Sequence, residues 1–191
     1  MDSTDWDQRY LAADHLWSHG PNLFVADRLA HLGPGRGLDI GCGEGRNSVW
    51  LAERGWVMTA VDFSPVAIER GIGRGPSVEF VMADVRSWEP DNVVFDLILI
   101  AYIHLVEAEL ADLVRRSRGW LGPGGELFMI GHDSTNVEHG HGGPQDPDIL
   151  WDVPLVRGWL DGLEIIEAQV VRRPTDEGPA LDALVRARRP S

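Results

Sequence analysis

The stretch LDIGCGEGRNSVWLAERG, residues 38–55, constrains this chain most. It sets a short apolar run, three glycines at alternate positions and a segment of helical spacing one behind another. Glycine at a strand-to-helix turn lets the main chain take positive φ and approach a ligand closely. The unpaired N–H groups at the start of the following helix supply donors and the positive end of its dipole. The stretch therefore predicts a strand, a ligand-facing turn and a helix, with a nucleotide-like ligand as the first candidate.

The segments around it repeat the alternation. VMTAVD is a second strand ending at Asp62, a helix opens at Pro65, VEFVMAD is a third strand ending at Asp84, and residues 93–101 are a fourth. The segment Glu107–Trp120 reads as a helix, with Leu110, Leu113 and Val114 on one side, acids in its first turn and arginines in its last. GPGGELFMIGHD supplies a turn and a fifth strand. Near-continuous apolar strands separated by helices indicate a parallel sheet covered on both faces. Residues 1–33 read as a helical lead-in in which Asn22 caps a helix carrying Val25 and Leu29. After Asp133 the texture turns polar and glycine-rich, which predicts a long loop, then a short helix over 154–160 and two strands that pair as a hairpin across TDEGP.

Composition narrows the function. With 191 residues, 43% of them hydrophobic, the chain suits one substantial core, so a single domain over 1–191 is expected. It divides into an N-terminal lead-in and lid (1–33), a ligand-binding core (34–133) and a substrate loop with terminal hairpin (134–191). The net charge of −13 opposes binding to nucleic acid, whose recognition needs a basic face. The acidic start lacks the pattern of a signal peptide and no apolar run spans a bilayer, so a cytoplasmic protein without membrane association, acting on a small molecule as a monomer or homodimer, is expected. There is no lysine, which removes Schiff-base chemistry and the P-loop lysine, and a single cysteine, Cys42, which removes a disulfide framework. No metal is expected. His132, His139 and His141 with Asp133 and Glu138 are the densest set of possible ligands, yet no paired thiolates or His-Glu-x-x-His helix supports a site.

The glycine loop reads Gly41-Cys42-Gly43-Glu44-Gly45-Arg46, with arginine where a dinucleotide fingerprint places its third glycine. The chain instead resembles the class I S-adenosylmethionine-dependent methyltransferases. The resemblance rests on LDIGCGEGR, AVDFSPVAIERG, MADV, FDLILIAYIHL and LGPGGELFMIG, in that family's order and spacing over residues 36–131. GRNSVWLAERG is also similar to a compact bacterial subgroup that includes tellurite-resistance-type methyltransferases.

The resemblance implies an α/β Rossmann-like three-layer sandwich, its seven-stranded sheet mostly parallel with one antiparallel strand in the C-terminal hairpin, and S-adenosylmethionine as cofactor. It places Asp39, Gly41, Cys42 and Gly43 along the methionine portion of the cofactor, with Arg46 and Asn47 facing its carboxylate. Asp62 would hold the ribose hydroxyls, Phe63 and Ser64 lie beside the adenine, and Asp84, between Ala83 and Val85, meets the adenine amino group. Ala101 and Tyr102 pass near the sulfonium, and Trp17 folds over the cofactor. Each carboxylate also has a plainer reading: Asp39 as the acceptor that orders the loop, Asp62 as a helix cap.

The expected activity is transfer of the cofactor's methyl group to a small-molecule acceptor, leaving S-adenosylhomocysteine. The alternatives are a non-catalytic binder of the same cofactor and a nicotinamide-dependent reductase. His104, after the fourth strand, and His132 and Asp133, at the end of the fifth, are the candidate catalytic groups, because open α/β sheets bind ligands at the carboxyl ends of their strands and a histidine there can take a proton.

Overall fold

The computed structural model describes residues 3–12, 20–74 and 78–191. Among these, seven strands form one mostly parallel sheet. The chain consists of two compact units, Met1–Asp91 and Asn92–Ser191.

In the first unit, helices α1 (Ser3–Leu11) and α2 (Leu23–Leu29) precede the alternation of β1 (Arg36–Ile40), α3 (Arg46–Ala52), β2 (Val57–Asp62), α4 (Pro65–Ile72) and β3 (Val78–Met82). The strands lie in the order β3-β2-β1, all parallel, with Ile40 beside Val61 and Asp62 beside Met82. Leu38, Ile40, Ala60 and Val61 have no exposed surface, as expected of apolar strand residues covered on both faces of a parallel sheet. Helix α2 starts where the sequence indicates, since Asn22 Oδ1 accepts from the N–H groups of Phe24 and Val25. The third strand is shorter than expected. It ends at Met82, because Asp84 turns the chain by accepting the Arg86 N–H on its side chain and the Ser87 and Trp88 N–H groups on its carbonyl.

In the second unit, β4 (Phe95–Ala101), α5 (Glu107–Trp120) and β5 (Leu121–His132) are followed by α6 (Asn136–His139), a 3₁₀ turn (Pro147–Ile149), α7 (Val153–Gly158), β6 (Glu164–Arg173) and β7 (Ala180–Arg188). The strand order is β4-β5-β7-β6, with β7 antiparallel to both its neighbours, as the terminal hairpin requires. Gly-Pro-Gly-Gly belongs to β5 itself and is absorbed by a register shift against β4 between Phe95 and Leu97, where a turn was expected. Residues 134–146 are more ordered than an aperiodic loop. Buried Asn136 accepts the Leu181 N–H and donates to the Gly142 carbonyl, which winds the chain into α6. Among the described residues, no helix is long and apolar enough to cross a membrane.

Candidate functional site

The glycine loop closes the first unit's β1 onto the end of β2. Gly41, Gly43 and Gly45 all have left-handed backbones, with φ of 69°, 55° and 72°. The N–H groups of Gly41 and Cys42 both donate to the Val61 carbonyl, and the Gly43 N–H donates to Asp62 Oδ2 at 2.8 Å. The other Asp62 oxygen accepts the Ser64 N–H at 2.9 Å. Asp62 thus ties the loop to the start of α4, yet a carboxylate with one bond to each oxygen keeps lone pairs for further donors. Burial raises its pKa, opposed by the Ser64, Gly43 and Phe63 N–H groups.

Asp39 lies beneath this loop with 1% of its surface exposed and accepts the Ser48 hydroxyl at 2.6 Å. Burial, opposed by Ser48 and reinforced by the charge of Asp62, pushes its carboxyl up to about 6. Arg46 draws it the other way. Asn47 is buried and its Oδ1 accepts the Asn22 N–H, which fastens α3 to the cap of α2. The Cys42 thiol is buried against Ala60 and Ile68, and burial with the charges of Asp39 and Asp62 pushes its pKa up, away from the thiolate form.

Three further residues shape the loop. Glu44, 3% exposed, is held by Arg70 at 3.0 Å and Arg74 at 2.7 Å, two arginines one helical turn apart in sequence. A side chain at Gly43 would meet the Tyr10 hydroxyl, so α1 packs over the loop. Asp7 on the same helix accepts the hydroxyl of Ser64, which also caps α4 through the Ala67 N–H. Neither α1 residue carries a sequence pattern that marks it, whereas Glu44 is signalled by the acid between glycines and the Arg70/Arg74 spacing. Phe63 is half-buried and Val85 buried beside the strand ends; Ala83 donates its N–H to the Asp62 carbonyl. The Asp84 carboxylate is grasped by the Arg86 guanidinium, which holds it below the usual carboxylate range, and it is partly exposed. Trp17 lies outside the described residues.

The second unit gathers a different set. Half-buried Ala101 ends β4, and Tyr102 follows it with φ of 56°, a left-handed backbone in a residue with a large side chain. Its N–H donates to the Ile130 carbonyl at 2.7 Å and its hydroxyl to Asp182 Oδ2 at 2.7 Å. The Tyr102 ring centroid is 5.0 Å from that of His132, which is 6.2 Å from that of His104. His132 Nδ1 lies 3.5 Å from Asp182 Oδ1, a distance short of a hydrogen bond's geometry, and is buried. Arg173 Nε donates to Asp182 Oδ2 at 2.8 Å and to the Tyr102 hydroxyl at 3.1 Å. Asp182 has no exposed surface; burial pushes its carboxyl up, but the contacts from His132, Arg173 and Tyr102 outweigh this and hold it below the usual range.

Asp133 is not part of that group. Its Oδ1 accepts the N–H and hydroxyl of Thr135, an Asx turn that starts α6, and the acid facing His132 is Asp182. Sequence reading passes over Asp182 and Arg173, although one acid inside the apolar run ALDALV is a signal, since an unpaired charge there would be costly. His139 and Glu138 are exposed, and His141 packs against the backbone at Gly178, so the histidines of the polar loop are not brought together. Among the described residues no three His, Cys, Asp or Glu side chains group so as to hold a metal.

Residues 38–125 match the family model described as a methyltransferase domain. Residues 38–125 thus carry a methyltransferase domain, and the fold is that of solved methyltransferases. Nodulation protein S of Rhizobium tropici is 29% identical over 148 residues, 70% of this chain and 62% of that protein. The chain thus spans less than two thirds of that curated relative. The solved N-methyltransferase NodS from Bradyrhizobium japonicum WM9, in complex with S-adenosyl-L-homocysteine, superposes with a TM-score of 0.75 at 23% identity, covering 100% of both chains. TehB from Haemophilus influenzae superposes with a TM-score of 0.76 at 17% identity, over 96% of this chain and 67% of that one. The methyltransferase domain carries the Rossmann-like topology that the glycine loop and strand ends imply.

Proposed function

We propose that this chain is an enzyme that transfers the methyl group of S-adenosylmethionine to a small-molecule acceptor. The observation that carries the reading is the loop of three left-handed glycines closed onto Asp62, above an Asp39 whose ionisation is opposed by burial and by a second acid. Two buried carboxylates of like charge favour a cationic ligand, which lowers the cost of ionising both. The domain match and the likeness to a curated trans-aconitate 2-methyltransferase, 31% identical over 127 residues, point the same way.

Asp39, Gly41, Cys42, Gly43 and Arg46 would hold the methionine end of the cofactor. Asp62 would accept the ribose hydroxyls and Phe63, Ser64, Ala83, Asp84 and Val85 would border the adenine, with Ala101 and Tyr102 beside the methyl group. Bound there, the cofactor supplies an electrophilic methyl on sulfur. The chain's residues have to align a nucleophile behind that methyl and exclude water, which is the larger part of catalysis of an in-line displacement. His132, with His104 beside it, would take a proton from an acceptor that is neutral at working pH. We read the whole chain as one methyltransferase domain of a bacterial cytoplasm, acting as a monomer or homodimer; the charge of −13 supports a small acceptor over a nucleic acid.

Calorimetry with S-adenosylmethionine, S-adenosylhomocysteine and NAD, followed by transfer of a labelled methyl group to a panel of amines, thiols, phenols, carboxylates and chalcogen oxyanions, tests the reading. Binding of the first two and methylation of a panel member are expected. Binding of NAD in their place would overturn it.

A further inference from the structure

The Tyr102, His132, Arg173 and Asp182 group draws on the end of β4 and on three strands, and the reading above uses only its histidine. Asp182 interrupts β7, whose neighbouring residues Leu181, Ala183 and Leu184 are buried and apolar. A lone ion pair with Arg173 would account for one of its oxygens. That oxygen, Oδ2, receives both Arg173 Nε and the Tyr102 hydroxyl, while Oδ1 is directed at His132 Nδ1 with Arg173 Nη2 at 3.5 Å. The buried Nδ1 of His132 makes no hydrogen bond.

A neutral imidazole carries its proton on one nitrogen and a lone pair on the other. Were the lone pair on Nδ1, it would face the electron-rich oxygen of a carboxylate across 3.5 Å with no proton between them, a repulsive arrangement in a buried setting. With the proton on Nδ1 the same contact becomes attractive and needs only a small movement to become a hydrogen bond, as catalytic contacts in ligand-free structures commonly do. We propose that Asp182 is a positioning residue that fixes the His132 ring with its proton on Nδ1, leaving Nε2 as the nitrogen that receives the acceptor's proton. Arg173 and Tyr102 hold the carboxylate so that only Oδ1 is turned toward the ring.

This rests on the reading of the chain as a methyltransferase for its place in the reaction. As the bond from the acceptor's nitrogen, oxygen or sulfur to the methyl carbon forms, the carbon–sulfur bond of the cofactor breaks and sulfur keeps that electron pair. The proton released by the acceptor passes to Nε2, making His132 a cation whose charge Asp182 offsets. The groups facing the ring are Asp182, Tyr102 and His104; those facing Asp182 are His132, Tyr102 and Arg173.

Nitrogen NMR of the full chain labelled at histidine, without cofactor or acceptor, tests the claim directly, the His132 signals being assigned by their loss in His132→Gln. The wild type should show a protonated Nδ1 and an unprotonated Nε2. In Asp182→Asn, Arg173 and Tyr102 still claim one oxygen, so the new NH₂ turns to the ring and the proton should move to Nε2. Arg173→Gln should leave the tautomer unchanged. In turnover, Asp182→Asn should lose at least about tenfold in kcat with an unchanged cofactor Kd. An unprotonated Nδ1 in the wild type, the same tautomer in Asp182→Asn, or wild-type kcat in that variant would each overturn the proposal. If Asp182→Asn fails to fold, the wild-type spectrum decides alone. Because the spectra need no acceptor, absence of turnover with every acceptor would count against the methyl-transfer reading only.

Discussion

Asp39 and Asp182 are both buried carboxylates in the interior of this chain, and their surroundings drive them in opposite directions. Asp39, with a hydroxyl for partner and a second acid nearby, is pushed up to about 6. Asp182, with a guanidinium, a phenol and an imidazole around it, is held below the usual range. The first environment is short of positive charge and gains from a cationic ligand. The second is already balanced and gains nothing from one, so its use is to hold other side chains in place. On the proposed function, the contrast gives ligand capture to the first unit and management of a proton to the second.

The most forceful way to break that division is His132→Ala. General-base assistance is worth about 10² to 10⁴ in rate, so kcat for a weakly acidic acceptor at pH 6–7 should fall within that range while the cofactor Kd stays near wild type. The loss should shrink as pH rises and the acceptor ionises unaided. A loss confined to cofactor Kd would erase the distinction between the units.

Asp62→Ala is the complementary test on the first unit. Each charge-assisted hydrogen bond to a ribose hydroxyl is worth about 1.5–3 kcal/mol, so cofactor affinity measured by calorimetry should fall at least about tenfold. The variant should also unfold at a lower temperature, because the Gly43 and Ser64 N–H groups lose their acceptor. Asp62→Asn should lie between, its amide oxygen serving one of the two.

The smallest effect follows from pH. Asp39 has its folded pKa raised from 3.8 to about 6, so the folded chain takes up a proton there that the unfolded chain does not. Its contribution to stability is therefore fully present below about 3.8 and is lost as pH rises through about 6. A cationic ligand reverses the preference by favouring the ionised form. Cofactor affinity should hold from pH 8 to 6.5 and fall by up to about tenfold at pH 5, where Asp39 is protonated. Asp39→Asn should abolish that dependence, and a pH profile identical to wild type would show that the carboxylate does not sense the ligand's charge.

The first unit was the more legible in sequence because its geometry is local. The glycine loop, Asn22, Pro65 and the apolar strands act over a few residues, and the ends of β1 and β2 fall where the residues place them. Asp84 shows what the sequence leaves out: two residues beyond a strand it also serves a turn, with Arg86 close enough to pair with it. The second unit's group is assembled from residues up to 80 positions apart, as Tyr102 and Asp182 are, so neighbouring residues in sequence gave no guide to it. Asp133 was named with His132 for its place at the end of the fifth strand, whereas Asp182, from the neighbouring antiparallel strand, is paired with His132 only by the sheet register.

The Phe80 ring stands where side chains at both Gly45 and Gly71 would be, its edge 2.6 Å and 2.5 Å from the two missing Cβ positions. The three positions are therefore sterically coupled. Gly45 also carries a left-handed backbone, so it is fixed on two counts, whereas Gly71 is in ordinary helix and is fixed by volume alone. A chain that acquires alanine at 71 must first shrink residue 80, and one that shrinks residue 80 without filling 71 opens a void under the ligand loop. Either single change carries a cost, a clash in one case and a void in the other, so a redesign of this corner has to alter positions 71 and 80 together.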